Sequence, residues 1–202
     1  MLKLLLARHG LTQWNQEKRY LGSSDIPLNS EGKQQAKLLS KKLNSRPIDL
    51  ILSSELKRAF ESGNIIKANR ELQVNTNPRL NELHFGVFEG LTYSEAHSKY
   101  PEMLKRWLED YDLPPEGGQS FSSFSETVKI FINYLKNITE EKSILIVSHG
   151  GVIREIVRLA LGLPQDNHWS FQIDPASLSE VHIDHGHSTI IHLNDTTHLQ
   201  EE

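Results

Sequence analysis

Two histidines close two apolar runs in this chain: Leu2 to Ala7 leads into Arg8-His9-Gly10, and Ile144 to Val147 leads into Ser148-His149-Gly150. In open α/β sheets ligands lie in the crevice beyond the carboxyl ends of the strands, so this placement favours chemistry over packing. An imidazole beside a guanidinium suits a phosphate. Arginine presents a planar fork that matches two phosphoryl oxygens, and phosphoryl transfer asks of a protein mainly positioning and charge neutralisation. Arg8 is the first candidate for that fork. Arg58 is the second, because it follows the strand ending at Ser53-Ser54 by one short helical turn and can enter the same crevice. An exposed helix arginine is the commoner case, so Arg58 is singled out by the company it keeps.

A histidine acting as a base needs a nucleophile to activate, and no Gly-x-Ser-x-Gly elbow occurs here. The imidazole of His9 is then the expected nucleophile, provided one ring nitrogen gives its proton to a fixed acceptor such as a backbone carbonyl and leaves the other free to attack phosphorus. His149 is expected to donate a hydrogen bond to the transferring oxygens, helped by the N–H groups that open a helix at Gly150-Gly151. The leaving alkoxide must be protonated. Glu82, in Arg79-Leu80-Asn81-Glu82-Leu83, is the candidate acid, just before the glycine-punctuated segment Phe85 to Gly90 that should form a tight loop at the crevice rim. To hold a proton it needs apolar surroundings, which two arginines oppose. Glu89 is the rival acid, and either carboxylate can instead be a solvated surface group.

These residues need a scaffold of alternating strands and helices. Leu2 to Ala7 is apolar apart from Lys3, as a strand covered on both faces should be, and Ile48 to Leu52 and Ile144 to Val147 share that character, which makes all three central strands. Asn29-Ser30-Glu31 supplies an N-cap and an acidic first turn to a helix carrying Ala36, Leu39 and Leu43. Glu55 to Ala68, Gly151 to Leu161 and Phe121 to Leu135 also read as helices, so the topology is mainly βαβ. Leu178 to Ile183 and Thr189 to Leu193 read as a final hairpin turning at Asp184 to His187. Tyr93 to Leu113, with aromatics scattered among charges and closed by Pro114-Pro115-Glu116-Gly117-Gly118, reads as a helical cap over the crevice.

The composition is permissive. A chain of 202 residues supports one sizeable core, and a formal charge of −4 gives no electrostatic footprint for nucleic acid. The chain lacks cysteine, which removes disulfides and thiolate metal sites. The opening apolar run is short, ends in Arg8-His9 and has no small-residue cleavage site, and no stretch approaches membrane-spanning length. The expectation is a cytoplasmic protein whose partner is a small-molecule phosphomonoester, with no nucleic acid and no membrane; a homodimer is left open. His182, His185, His187 and His192 crowd the carboxyl end, but without a carboxylate or cysteine spaced to complete a site they read as surface residues, and no metal is expected.

Taken in order, Arg8 to Asn15, Ser53 to Ala59, Asn81 to Gly90 and Ser148 to Gly151 resemble the motifs of the histidine phosphatase superfamily, also called the phosphoglycerate mutase-like family. The likeness spans most of the chain. It implies a single domain over residues 1–202, folded as a three-layer α/β/α sandwich with a mostly parallel central sheet and a small helical cap insertion at about 84–118. It also implies a phosphohistidine on His9, a phosphate pocket from Arg8, Arg58 and His149, and Glu82 as general acid, with neither metal nor organic cofactor. Asn15 would touch the phosphate or an adjacent substrate oxygen, unless it is a loop cap, and Gly150 would join the substrate contacts.

Within the superfamily, the segments Arg19 to Leu28, Pro114 to Ser120, His149 to Arg154 and Asp174 to Ser179 resemble the alpha-ribazole phosphatase branch, whose members remove a 5′-phosphate during cobalamin assembly. Broad-specificity phosphatases and mutase relatives share similar segments. Gln119, Thr127 and Phe88 depart from the usual pattern, where a glutamate, an arginine and a tryptophan are common. Trp14, Tyr20, Trp107 and Tyr111 can stack on a flat leaving group such as a benzimidazole, although aromatics in a cap more often fill its own small core. The expected activity is phosphomonoester hydrolysis. A mutase and a non-catalytic phospho-ligand binder are the alternatives, the first disfavoured by the short chain and the second by the presence of both His9 and Glu82.

Overall fold

The computed structural model describes residues 1–138 and 140–200. Its strands are β1 (Leu2–Arg8), β2 (Leu50–Ser53), β3 (Val74–Thr76), β4 (Lys142–Ser148), β5 (Leu178–Asp184) and β6 (His187–Asp195), in one sheet of order β3-β2-β4-β1-β5-β6. The pairs β1–β4, β2–β4 and β2–β3 are parallel, while β5 and β6 add an antiparallel hairpin at one edge. The fold is therefore the mixed α/β arrangement expected, with the three apolar runs as interior strands.

Side-chain alternation explains why those runs are continuously apolar. Leu4 and Leu6 of β1 and Ile144 and Ile146 of β4 face α6 (Phe121–Lys136) and α7 (Gly150–Ala160), where they meet Phe131, Ile132, Ile153 and Ile156. Leu5, Ala7, Leu145 and Val147 face the other way, against Ala36, Leu39 and Leu43 of α2 (Ser30–Leu43) and Ala59 and Ile66 of α3 (Lys57–Lys67). Both faces are covered, so neither parity can be polar. Three layers result.

Local signals hold where they are strongest. Asn29 caps α2, its side chain accepting from Gly32 N at 2.7 Å. The cap segment forms α4 (Tyr93–Lys99) and α5 (Pro101–Glu109), broken at Tyr100 because Pro101 opens a new helix and lacks the N–H to continue the old one. These helices bury Phe88, Ala96, Leu104 and Trp107 in an apolar cluster of their own. Expected boundaries shift by a residue or two, and β6 begins at His187 rather than Thr189. Strand β3 and the short helix α1 (Gln13–Gln16) went unread, since β3 is three residues long, largely exposed and polar apart from Val74. No helix of the described residues is long and apolar enough to cross a membrane.

The loop after β1 is seated on the first turn of α2. Leu11 N donates to Gln35 Oε1 at 3.0 Å, and a Cβ added at Gly32 would overlap the backbone of Leu11. Alanine normally favours a helix over glycine by about 1 kcal/mol, but overpacking against backbone costs about 1–3 kcal/mol or more. Gly32→Ala is therefore expected to lower unfolding stability despite its better helix propensity, as read by denaturant midpoint. A rise in the midpoint would show that the loop moves freely.

Candidate active site

Register brings the candidate residues together. Arg8 pairs with Ser148 and Ser53 with Val147, so β1, β4 and β2 end level at one edge of the sheet. Parallel neighbours lie about 4.8 Å apart, and the next residues of two of them are His9 and His149, whose ring centroids are 5.1 Å apart in an edge-to-face arrangement.

His9 Nδ1 lies 2.7 Å from Gly10 O. A carbonyl can only accept, so Nδ1 carries the proton and the Nε2 lone pair is left free, which is the tautomer that nucleophilic attack requires. Burial, reinforced by Arg58 and Arg8, holds the His9 pKa well below 6.5. The ring is thus neutral in ordinary buffers. If attack by His9 limits the reaction, the acid limb of the kcat/KM profile due to this residue should fall well below pH 6.5, because only the unprotonated ring attacks. A half-activity point at 6.5 assigned to His9 would contradict it.

Two guanidinium groups flank the rings. Arg58 is fully buried, with Nη1 on Ser24 O and Nη2 on Gly22 O at 2.6 Å each and Nε donating to His149 Nδ1 at 3.2 Å. Arg8 donates through Nη1 to Ile173 O at 2.6 Å, while its buried Nε has no protein partner among the described residues. Burial lowers each guanidinium pKa to about 10, which leaves both charged near neutrality. His149 is pushed well below 6.5 by burial and by Arg58. Its nitrogens are both engaged, Nε2 lying 2.8 Å from Ser54 Oγ. The free donor expected from the sequence is absent from this geometry: donation by His149 to a phosphoryl oxygen would first require one partner to be exchanged.

The two candidate acids separate cleanly. Glu82 lines the cleft beside the arginines and accepts from Gly151 N at 3.1 Å and Leu83 N at 3.1 Å. One of the two helix-opening glycines thus serves this carboxylate; a Cβ on Gly151 would overlap Glu82 Oε1. Glu89 does not line the cleft. It accepts from Ser23 N at 2.8 Å and Phe85 N at 3.1 Å, clamping the loop whose carbonyls hold Arg58. Asn15 is a loop cap, its Oδ1 accepting from Thr12 N at 3.1 Å, and it also lines the cleft, as does Gly150.

The cleft has a volume of about 380 Å³. Tyr20, Trp107 and Tyr111 form part of its wall, whereas Trp14 packs over Gly90 outside it. Sequence reasoning missed Trp169 and a role for Arg154. Trp169 packs against Tyr111 at 5.3 Å, and the Arg154 guanidinium lies 5.4 Å over its ring with Nε on Phe171 O at 2.8 Å. Both line the cleft. Arg154 already stood in the helix-opening segment, and its spacing of three residues from Gly151 was the available signal. Gln119, Thr127 and Phe88, the departures from the family pattern, all lie off the cleft wall, with Phe88 buried in the cap cluster.

The carboxyl-terminal histidines differ from their reading in one respect. Glu180, largely buried, approaches His182 Nε2 at 2.7 Å, two residues on along β5, and His192 Nδ1 at 3.8 Å across the β5–β6 pair, a carboxylate partner that the period-2 spacing of a strand could have revealed for His182. Its Oε2 also takes Arg46 at 2.6 Å, a cation where a metal would need room. Among the described residues no group of three or more His, Cys, Asp or Glu is placed to hold a metal ion.

Comparison with known proteins gives the family. Residues 4–196 match the model of the histidine phosphatase superfamily (branch 1), and the chain belongs to that superfamily. It is 35% identical over 202 residues to Phosphoserine phosphatase 1 of Hydrogenobacter thermophilus, covering 100% of this chain and 96% of that protein. It is 33% identical over 194 residues to the adenosylcobalamin/alpha-ribazole phosphatase of Escherichia coli, with 96% of each chain covered. The crystal structure of the alpha-ribazole phosphatase from Shigella flexneri superposes with a TM-score of 0.91 at 33% identity, covering 96% of both chains.

Proposed function

We propose that the chain is a metal-independent phosphomonoesterase acting through a phosphohistidine on His9, with alpha-ribazole 5′-phosphate as its substrate. The observation that carries the chemistry is the pinned Nδ1 of His9, which leaves Nε2 free among Arg8, Arg58 and Glu82. His9 Nε2 attacks phosphorus and the ester P–O bond breaks, while Glu82 gives its proton to the departing alkoxide. In the second half the Glu82 carboxylate takes a proton from water as that water attacks the phosphohistidine, which frees phosphate and restores His9. Arg8 and Arg58 offset the charge on the phosphoryl oxygens throughout. We assign Arg8, Asn15, Arg58, His149 and Gly150 to the phosphate end, and read residues 1–202 as one domain with 84–118 as its cap.

For the leaving group, support comes from the wall of Tyr20, Trp107, Tyr111 and Trp169, which suits a flat base, and from the alpha-ribazole phosphatase relatives. A second reading, phosphoserine, is favoured by the phosphoserine phosphatase relative and by Arg154 at the wall, whose guanidinium suits a carboxylate. Initial rates on alpha-ribazole 5′-phosphate, phosphoserine and 3-phosphoglycerate, the last with and without 2,3-bisphosphoglycerate, decide between them. Highest kcat/KM on the first is expected. Preference for phosphoserine would transfer the assignment, isomerisation of phosphoglycerate would make the chain a mutase, and binding without turnover would make it a phospho-ligand binder.

A further inference from the structure

We propose that Ser54 and Asn81 are positioning residues for this reaction: their hydrogen-bond relay holds His149 as the Nε2–H tautomer and ties it to the segment that carries Glu82. The role in turnover rests on the phosphatase reading above; the state of the ring does not.

The proton positions follow from which groups can only donate. Arg58 Nε–H has no lone pair to offer, so at 3.2 Å it must donate and His149 Nδ1 must accept. A neutral imidazole then carries its single proton on Nε2, which faces Ser54 Oγ at 2.8 Å. Ser54 Oγ also receives Leu56 N–H at 3.1 Å, so its own hydrogen goes to Asn81 Oδ1 at 2.7 Å. Asn81 Oδ1 further takes Glu55 N–H at 3.0 Å, and Asn81 Nδ2 donates to Glu55 Oε2 at 3.2 Å, which fixes the amide orientation. Every partner is satisfied in one direction only. Reversing the His149 tautomer would set a proton on Nδ1 against Arg58 Nε–H and leave Nε2 without its donor role.

Geometry gives the relay a purpose beyond packing. Ser54 and His149 follow the ends of adjacent strands β2 and β4, and Asn81 immediately precedes Glu82. On the other side of that segment, Ser148 Oγ donates to Leu80 O at 2.7 Å. Two hydroxyls from two strand ends thus staple the acid-bearing loop, and one of them also sets the ring beside His9. Ser54 and Ser148 are both fully buried, where an unmade hydrogen bond is costly.

The test uses the full chain with 15N-labelled histidine. The wild type should show His149 protonated at Nε2 only, with that proton visible because it is buried and hydrogen-bonded. Ser54→Ala should lose the visible proton and lower kcat about 100-fold with little change in KM, since a misplaced or mis-tautomerised group costs about that or more. Ser54→Thr, which keeps the hydroxyl, should restore both. Asn81→Ala, which leaves Ser54 in place, guards against a misfolded Ser54 variant and should lower kcat in the same direction. A His149 proton on Nδ1 in the wild type would overturn the proposal, as would Ser54→Ala or Asn81→Ala with unchanged kcat in a folded protein. Should the wild type hydrolyse no monoester, the phosphatase reading falls while the ring signal still decides the tautomer.

Discussion

Replacing His9 with alanine abolishes phosphomonoester turnover, with an expected loss of at least about 10⁴-fold, because in the proposed mechanism nothing else in the cleft can form the covalent intermediate. The arginines would still bind the phosphate, so ligand affinity should largely survive. So should the fold: the backbone of His9 pairs with Ser148 O at 2.9 Å and Ala176 N at 3.0 Å, contacts that do not involve the imidazole. The measurement pairs a steady-state assay with acid or alkaline quenching of enzyme reacted with radiolabelled substrate. Wild type should retain acid-labile, alkali-stable label on one histidine, and the variant none. Retained activity, or label on His149, would remove His9 from the nucleophilic role.

Glu82→Gln carries the second largest effect and a more selective one. Glutamine keeps one oxygen able to accept from Gly151 N or Leu83 N, so the loop keeps one of its two anchors, but it has no acidic proton to give. General acid catalysis is worth about 10²–10⁴-fold where the leaving group needs it. Alkyl phosphates, whose alkoxides are strongly basic, should lose that much. Nitrophenyl phosphate, whose leaving group departs unprotonated, should lose far less at the first step. Equal losses on the two ester classes would move the acid elsewhere. Glu89 is a poor substitute, since Ser23 N and Phe85 N hold it away from the cleft as the clamp of the loop that aims Arg58.

Both predictions concern residues that were legible before any coordinates. Arg8-His9 and His149 follow strongly apolar runs, and a run covered on both faces announces a central strand whose end opens on a crevice. The crossover helix at Asn29 was legible because capping rules act within one turn. What escaped was set at longer range. Strand β3 is short, and its place is decided by pairing with β2 rather than by its own composition. Trp169 and Arg154 become a wall only when the 165–170 segment folds back on α7 and the cap. Glu180 meets His182 along β5 itself, but it reaches His192 only because β5 and β6 pair in a bulged register.

By itself the sequence determined the class of chemistry, since residue type decides what a side chain can donate, accept or attack, and periodicity decides which segments become strands and helices. Tertiary structure alone decided direction and occupancy: that both nitrogens of His149 are occupied, and which of two glutamates faces the cleft. Those properties depend on contacts between groups as much as 95 residues apart in the chain, as His149 and Ser54 are. No local pattern encodes them, because a hydrogen bond tolerates only a few tenths of an ångström around about 2.9 Å, a fit that exists only once the layers have packed.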